Sequence, residues 1–174
     1  MPMNHRSGFV NILGNPNVGK STIMNALVGE KLSIISPKAQ TTRHRIMGIV
    51  NGDDFQIVYS DTPGILKPRY KLQESMMNFV NLALTDADVI LYVTDVTERA
   101  ASQGEYIDKI KESGIPVMIA VNKVDLSNQE DLEKVVGEFS GKDEQELVFD
   151  APPGHDWNWF GGENDGKIHG PLRL

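Results

Sequence analysis

Gly14-Asn15-Pro16-Asn17-Val18-Gly19-Lys20-Ser21, with Thr22 next, is the stretch on which the fold turns. It matches the spacing G-x-x-x-x-G-K-[ST], which has structural meaning only between a strand and a helix. Both are in place. Phe9-Val10-Asn11-Ile12-Leu13 is a short apolar run that predicts a strand, and Ile23, Met24 and Leu27 repeat at helical spacing up to a capping Gly29. Working outward, residues 44–50 and 54–60 predict two strands joined at Asn51-Gly52, a hairpin signal. Leu72, Met76, Phe79, Val80, Ala83 and Leu84 fall on one helical face. Val89 to Val93 and residues 115–121, with Pro116 near the start of the second run, predict buried strands. Between them Tyr106, Ile107 and Ile110 mark a helix that Gly114 can end. A capping box from Ser127 to Glu130 opens another, with Leu132, Val135 and Val136 inward, and Leu147-Val148-Phe149 predicts a last short strand. Strands alternating with helices predict an α/β fold with a largely parallel sheet.

Bulk properties narrow the class. The 174 residues suffice for one domain of ordinary size, and 40% hydrophobic with 24% charged residues is normal for a globular chain. A formal charge of -7 argues against a protein that clings to nucleic acid by bulk electrostatics. With no cysteine, disulfides, thiolate metal sites and cysteine nucleophiles are excluded. No apolar run near the N-terminus is long enough for a signal peptide or a membrane span, so a cytoplasmic location is expected. Composition changes near residue 150. The segment 150–174 is rich in glycine and proline, holds both tryptophans and shows little periodicity, so it reads as a loop or tail after a domain spanning 1–149.

The glycine-rich stretch suits polyphosphate. Its backbone N–H groups can wrap dense negative charge where glycine permits tight turns, and the positive end of the next helix adds a favourable field. Lys20 supplies a point charge for β and γ oxygens, and the Ser21 hydroxyl suits a magnesium ion. Asn122-Lys123-Val124-Asp125 follows a buried strand, at the edge where open parallel sheets bind ligands. An ionised Asp125 accepts from guanine N1–H and its amine, whereas adenine offers a lone pair at N1 and no amine. Sites built to pair such donors reject analogues lacking them by as much as roughly 10⁴-fold. Alone the tetrapeptide is common in surface loops. Downstream of a phosphate loop it points to a guanine nucleotide.

Asp61-Thr62-Pro63-Gly64 follows the strand ending at Tyr59-Ser60. An aspartate at a strand tip beside phosphates can hold magnesium, and the Gly64 N–H can reach a γ oxygen; the same residues also read as an ordinary turn. Thr41-Thr42 lies in the polar segment 33–43, where a threonine hydroxyl could complete the magnesium shell when a γ-phosphate is present. Two incidental threonines in a loop are the other reading. Ile65 stands where Ras-like proteins place a water-orienting glutamine, so slow intrinsic turnover is expected.

Four elements in this order resemble the Era-like family of translation-factor-related P-loop GTPases: Gly14 to Ser21, Lys38-Ala39-Gln40-Thr41-Thr42-Arg43-His44-Arg45, Asp61-Thr62-Pro63-Gly64-Ile65 with Lys67-Pro68, and Asn122 to Asp125. The resemblance covers about residues 5–140 and implies a P-loop NTPase three-layer sandwich with helices on both faces. It implies GTP hydrolysis to GDP and phosphate, with Lys20, Thr42 and Gly64 in catalytic positions. Nucleotide contacts would come from Gly14 to Thr22, Asp61 to Gly64, Asn122, Lys123 and Asp125, with magnesium on Ser21, Thr42 and Asp61. The choice of Thr42 over Thr41 and a potassium ion on Asn17 rest on the resemblance alone. So do action on 16S rRNA in small-subunit maturation, peripheral inner-membrane association and a monomeric state. Two departures stand out. No RNA-binding KH domain follows before Leu174, which leaves RNA binding without its usual module. The family's last guanine-contacting Ser-Ala loop has no clean counterpart, although Asp150-Ala151-Pro152 lies at about the right place. A guanine-nucleotide-binding module with negligible turnover is the competing expectation.

Overall fold

The computed structural model describes residues 5–36, 41–97, 104–128, 130, 131, 134, 137, 147–151, 158–160 and 168–171. They form an α/β structure in two compact units, Met1–Ile90 and Leu91–Leu174. The composition change near residue 150 falls inside a strand rather than at that division.

In the first unit, β1 (Arg6–Leu13) leads through the glycine-rich turn into α1 (Lys20–Val28). The chain then forms β2 (Ile46–Asn51), β3 (Phe55–Asp61) and α2 (Lys71–Ala83). Strand order is β2-β3-β1. β1 pairs in parallel with β3, Ile12 opposite Asp61, and β2 pairs antiparallel with β3, Ile46 opposite Asp61. Asp61 therefore ends β3 level with the last turn of chain before the glycine-rich loop. Ile12, Leu13, Val18, Met24, Met76 and Val80 are fully buried, and each such side chain contributes about 1.5–3 kcal/mol.

The hairpin closes differently from a two-residue Asn-Gly turn. Gly52, Asp53 and Asp54 connect the strands, the Gly52 N–H donates to the Phe55 carbonyl at 2.8 Å, and Gly52 is not left-handed. The inward face of α2 is also rotated from the expected one. Gln73 and Met77 are buried with Met76, Val80 and Ala83, while Leu72 is exposed. Gln73 turns inward because its Oε1 accepts from the Arg69 N–H at 2.8 Å, satisfying the chain that enters the helix. α1 ends as expected, with Gly29 at φ 78° and its N–H on the Asn25 carbonyl. The Asn25 side chain clamps the next turn: its Oδ1 accepts from Leu32 and Ser33 N–H, and its Nδ2 donates to the Ser33 carbonyl.

β4 (Val89–Asp95) carries the chain into the second unit, which continues with α3 (Gly104–Glu112), β5 (Val117–Asn122) and β6 (Leu147–Ala151). Two short strands follow, β7 (Asn158–Phe160) and β8 (Ile168–Pro171), in the order β4-β5-β6-β7-β8. β5 and β6 are parallel, whereas β7 and β8 add antiparallel. The segment read as tail thus contributes strands, because backbone pairing to β6 does not require side-chain periodicity. Leu91, Val93, Ile110, Ala120 and Val121 are buried here. After β5, Asn128 rather than Ser127 caps the next helical residues, its Oδ1 accepting from the Asp131 N–H at 2.9 Å. Leu132, Val135, Val136, Lys38 to Gln40 and Trp157 lie outside the described residues.

Candidate functional site

In the first unit the loop between β1 and α1 takes backbone conformations that few sequences tolerate. Gly14 has φ 146°, Asn17 66° and Gly19 101°. Gly19 precedes α1 with no side-chain cap and no acidic residue in the first turn. The leading N–H groups of α1 are thus left for an external acceptor, and the local field there favours an anion. Lys20 is 6% exposed, and its ammonium folds back on the Asn15 carbonyl at 2.6 Å. Asn15, Pro16 and Ser21 are half-buried, Val18 is buried, and Asn17 and Thr22 are exposed.

Three oxygen-bearing side chains from separate segments converge beside Lys20. The Ser21 hydroxyl donates to Asp61 Oδ2 at 2.7 Å. Thr42 Oγ1 lies 3.2 Å from Ser21 Oγ and 3.3 Å from Asp61 Oδ2. Asp61 is 0% exposed, yet its Oδ1 has no hydrogen-bond partner among the described residues. A buried carboxylate oxygen left without a donor is costly, and a hard cation would satisfy it. The donor set, two hydroxyls and a carboxylate, suits magnesium.

Thr62, Pro63, Gly64 and Ile65 are all buried. The Thr62 hydroxyl donates to the Ile12 carbonyl, and the Ile65 N–H donates to the Gly14 carbonyl at 3.0 Å, which ties this segment to the glycine-rich loop. A Cβ on Gly64 would lie 2.7 Å from Pro16 backbone atoms. Only glycine lets the two backbones approach this closely. Ile65 is turned inward at 8% exposure.

A polar cluster that sequence reading missed underlies these segments. Arg45 Nε donates to Ser60 Oγ at 2.6 Å, and its Nη2 donates to Asn11 Oδ1 at 2.8 Å. The same guanidinium forks onto both oxygens of Asp86. Fully buried Asn11 donates from Nδ2 to the Ala83 carbonyl and to Asp86 Oδ1, each at 2.7 Å. The Arg45 hydrogen bond, aided by Asn11, holds the Asp86 carboxyl below its ordinary range despite partial burial. The signal lay in a polar residue, Asn11, inside the otherwise apolar run Phe9 to Leu13 of β1.

The Asn122 to Asp125 tetrapeptide belongs to the second unit. Asn122 ends β5, Lys123 turns the chain at φ 59°, and Val124–Leu126 form one turn of 3-10 helix with Asp125 exposed. Asn17 and Lys123 are the only non-glycine residues with positive φ among the described residues, one in each candidate segment. Such strain persists where neighbours enforce it. Here the Lys123 ammonium donates to Asp95 Oδ2, and the Val96 N–H donates to the Asn122 carbonyl. Asp95 was not anticipated. Burial opposes its charge, but hydrogen bonds from Lys123 and from the hydroxyl and N–H of Thr97 outweigh it and hold the carboxyl below its usual range. In the β5–β6 register Ala151 stands opposite Asn122, so Asp150-Ala151 ends β6 level with the start of this motif.

Comparison with known proteins adds to this geometry. The family described as 50S ribosome-binding GTPase matches residues 9–123. GTPase Era of Alkaliphilus metalliredigens is 44% identical over 138 residues, 79% of this chain and 47% of that protein. GTPase Era of Clostridium botulinum is 45% identical over 138 residues, again 79% of this chain and 47% of that protein. A solved structure of Era in complex with MgGDPNP and nucleotides 1506-1542 of 16S ribosomal RNA superimposes with a TM-score of 0.75 at 39% identity, covering 85% of this chain and 51% of that one. The chain spans about half the length of the curated relatives it matches.

Proposed function

The chain belongs to the family of 50S ribosome-binding GTPases and has their α/β P-loop fold, and from that premise we propose that it binds GTP with magnesium and hydrolyses it to GDP and phosphate. Residues 1–149 act as an Era-type G domain, with 150–174 as an atypical extension. The convergence of Ser21, Thr42 and Asp61 around an unsatisfied carboxylate oxygen carries the reading. Magnesium supplies neutralisation of charge on the β and γ oxygens. The chain's own residues do the rest. N–H groups from Gly14 to Thr22 and the Lys20 ammonium cradle the phosphates, the Gly64 N–H meets the γ-phosphate, and Asn122, Lys123 and Asp125 hold guanine. Thr62 and Pro63 set the Gly64 backbone.

Ile65, apolar and turned inward, orients no water, which supports slow intrinsic turnover and gives one observation in favour of a binding module without hydrolysis. Single-turnover hydrolysis separates the two. Phosphate release from bound GTP supports the enzyme, and none over hours with binding intact leaves the module. Asn17, exposed with φ 66°, offers its side chain to potassium, so turnover should be faster in KCl than in NaCl. Equal rates in the two salts reject that cation.

The wider role proposed is maturation of the small ribosomal subunit through 16S rRNA, supported by the Era complex with that RNA. A monomer in the cytoplasm, with peripheral membrane association, belongs to the same reading. Among the described residues no helix is long and apolar enough to cross a membrane.

Two substitutions test the site. Lys20→Ala should lower nucleotide affinity at least about 100-fold by removing a charge-assisted contact to phosphate; unchanged binding excludes the loop. Asp125→Asn should shift preference from guanine towards xanthine, whose C2 oxygen needs a donor. Full guanine selectivity in that variant would overturn the assignment of Asp125.

A further inference from the structure

We propose that Arg45 is a positioning residue for Thr42, and that its cluster with Asn11, Ser60 and Asp86 sets how strongly the protein prefers a nucleotide carrying a γ-phosphate over one lacking it. This rests on the nucleotide-binding reading above and deepens it.

The guanidinium touches both segments that bring magnesium ligands together, but Asp61 is held independently by its pairing with β1 and β2, which leaves the Thr42 segment as the one that depends on Arg45. Ser60, which accepts from Arg45 Nε, immediately precedes Asp61. Thr42 lies three residues before Arg45, so a chain fixed at 45 confines Thr42 to within about 10 Å of that anchor. Arg45 also lies just beyond the last pair of the β2–β3 ladder, Ile46 with Asp61, and among the described residues no strand pairing holds the chain further. From 45 back to Thr42 the segment's side-chain attachments include the His44 ring, edge-on to Phe79 of α2, and the Thr42 hydroxyl itself. The donors are spent on three segments at once: β3 through Ser60, β1 through Asn11 and the turn after α2 through Asp86. A planar fork can satisfy these divergent acceptors together, whereas a lysine ammonium reaches them from a single point. The Arg45 side chain is only 10% exposed and Asn11 and Ser60 are fully buried, so an imperfect replacement leaves those two acceptors unpaired, whereas the half-exposed Asp86 carboxylate can turn to water.

The effect should fall unequally on the two nucleotide states. The loop from Gly14 to Ser21 is built by its own backbone angles and by contacts from Ile65 and Gly64, none of which involve Arg45. Thr42 reaches the site only because its segment is brought there. Displacing the segment removes one hydroxyl from the magnesium shell, the one that matters when a γ-phosphate is present.

The test is Arg45→Lys in the 174-residue chain, with GDP and the non-hydrolysable analogue GppNHp titrated in MgCl2. GppNHp affinity should fall about ten-fold while GDP affinity stays within about two-fold, and the magnesium concentration for half-maximal GppNHp binding should rise. In a Thr42→Ala background the same Arg45→Lys change should have almost no further effect on GppNHp, because both act through one hydroxyl. Equal losses for the two nucleotides, no loss for either, or losses that simply add in the double variant would overturn the proposal and leave Arg45 as a staple of the sheet. If the unmodified chain binds neither nucleotide, the nucleotide-binding reading falls and this inference with it.

Discussion

Asp61 illustrates how one residue can serve a site against the interest of the fold. Its carboxylate is fully buried, one oxygen takes the hydroxyls of Ser21 and Thr42, and the other takes nothing among the described residues. Without a cation that arrangement destabilises the native state. Asp61→Asn should therefore raise the stability of the nucleotide-free protein by about 1 kcal/mol or more, since the charge is removed and the shape kept. The same change should weaken magnesium-dependent GDP binding at least about ten-fold, because a hard cation loses its charged ligand. Thermal melts with and without MgGDP check both halves; a variant less stable in the empty state would show that the carboxylate is satisfied in a way its hydrogen bonds do not reveal.

Among the elements, the turn after β5 depends on an aspartate from a different strand. Lys123 sits in a left-handed conformation that a lysine seldom adopts, and its bond to Asp95 at the end of β4 is what holds it. Asp95 titrates below its usual range in the folded state, so the stability it contributes is present above the unfolded carboxylate value of about 4 and fades as pH falls through the folded value. Asp95→Asn should cost about 1–2 kcal/mol at pH 7, since charge-assisted bonds are lost while the partly exposed Lys123 ammonium can turn to water, and progressively less below pH of about 4. Denaturant unfolding of both proteins at pH 7 and at pH 3 measures this, and a pH-independent gap would contradict it. Such pairs explain what the sequence did and did not reveal. The glycine-rich loop, α1 with its Gly29 cap, β4 and the start of the Asn122 motif are written in contiguous residues, where local spacing speaks directly. Asn11, Arg45, Asp86 and Asp95 act across gaps of tens of residues, and each in isolation looks like a solvated polar residue. The inward turn of Gln73 was hidden for a similar reason: a hydrogen bond from the Arg69 N–H lets this polar residue join the otherwise apolar buried face of α2.

For the whole molecule, the strands at the C-terminal end raise a question of what the second unit requires. β5 carries Asn122 and is flanked by β4 and β6, while β7 and β8 are paired only outward from β6 among the described residues. Removing 152–174 bares only the edge of the five-residue β6, which carries Asp150, and leaves β5 paired on both sides, so the remaining chain should fold and keep its GDP affinity within about two-fold. Removing 147–174 bares the edge of β5, and an exposed apolar strand edge invites association. That shorter chain should elute as aggregate on size exclusion and lose nucleotide binding. Should both truncations behave alike, the division between β6 and the strands after it carries no energetic meaning.

The amide of Asn25 has a mechanical consequence. It fastens the backbone at Leu32 and Ser33 with three hydrogen bonds, and Arg45 fastens the same stretch at its far end. Between these two posts Thr42 adds a further tie, to Ser21 and Asp61. A span whose two ends are already fixed adds little closure entropy when it changes course. Nucleotide exchange could then redraw that one span while leaving the scaffold on either side untouched, and the length between the posts would set how far any rearrangement can travel.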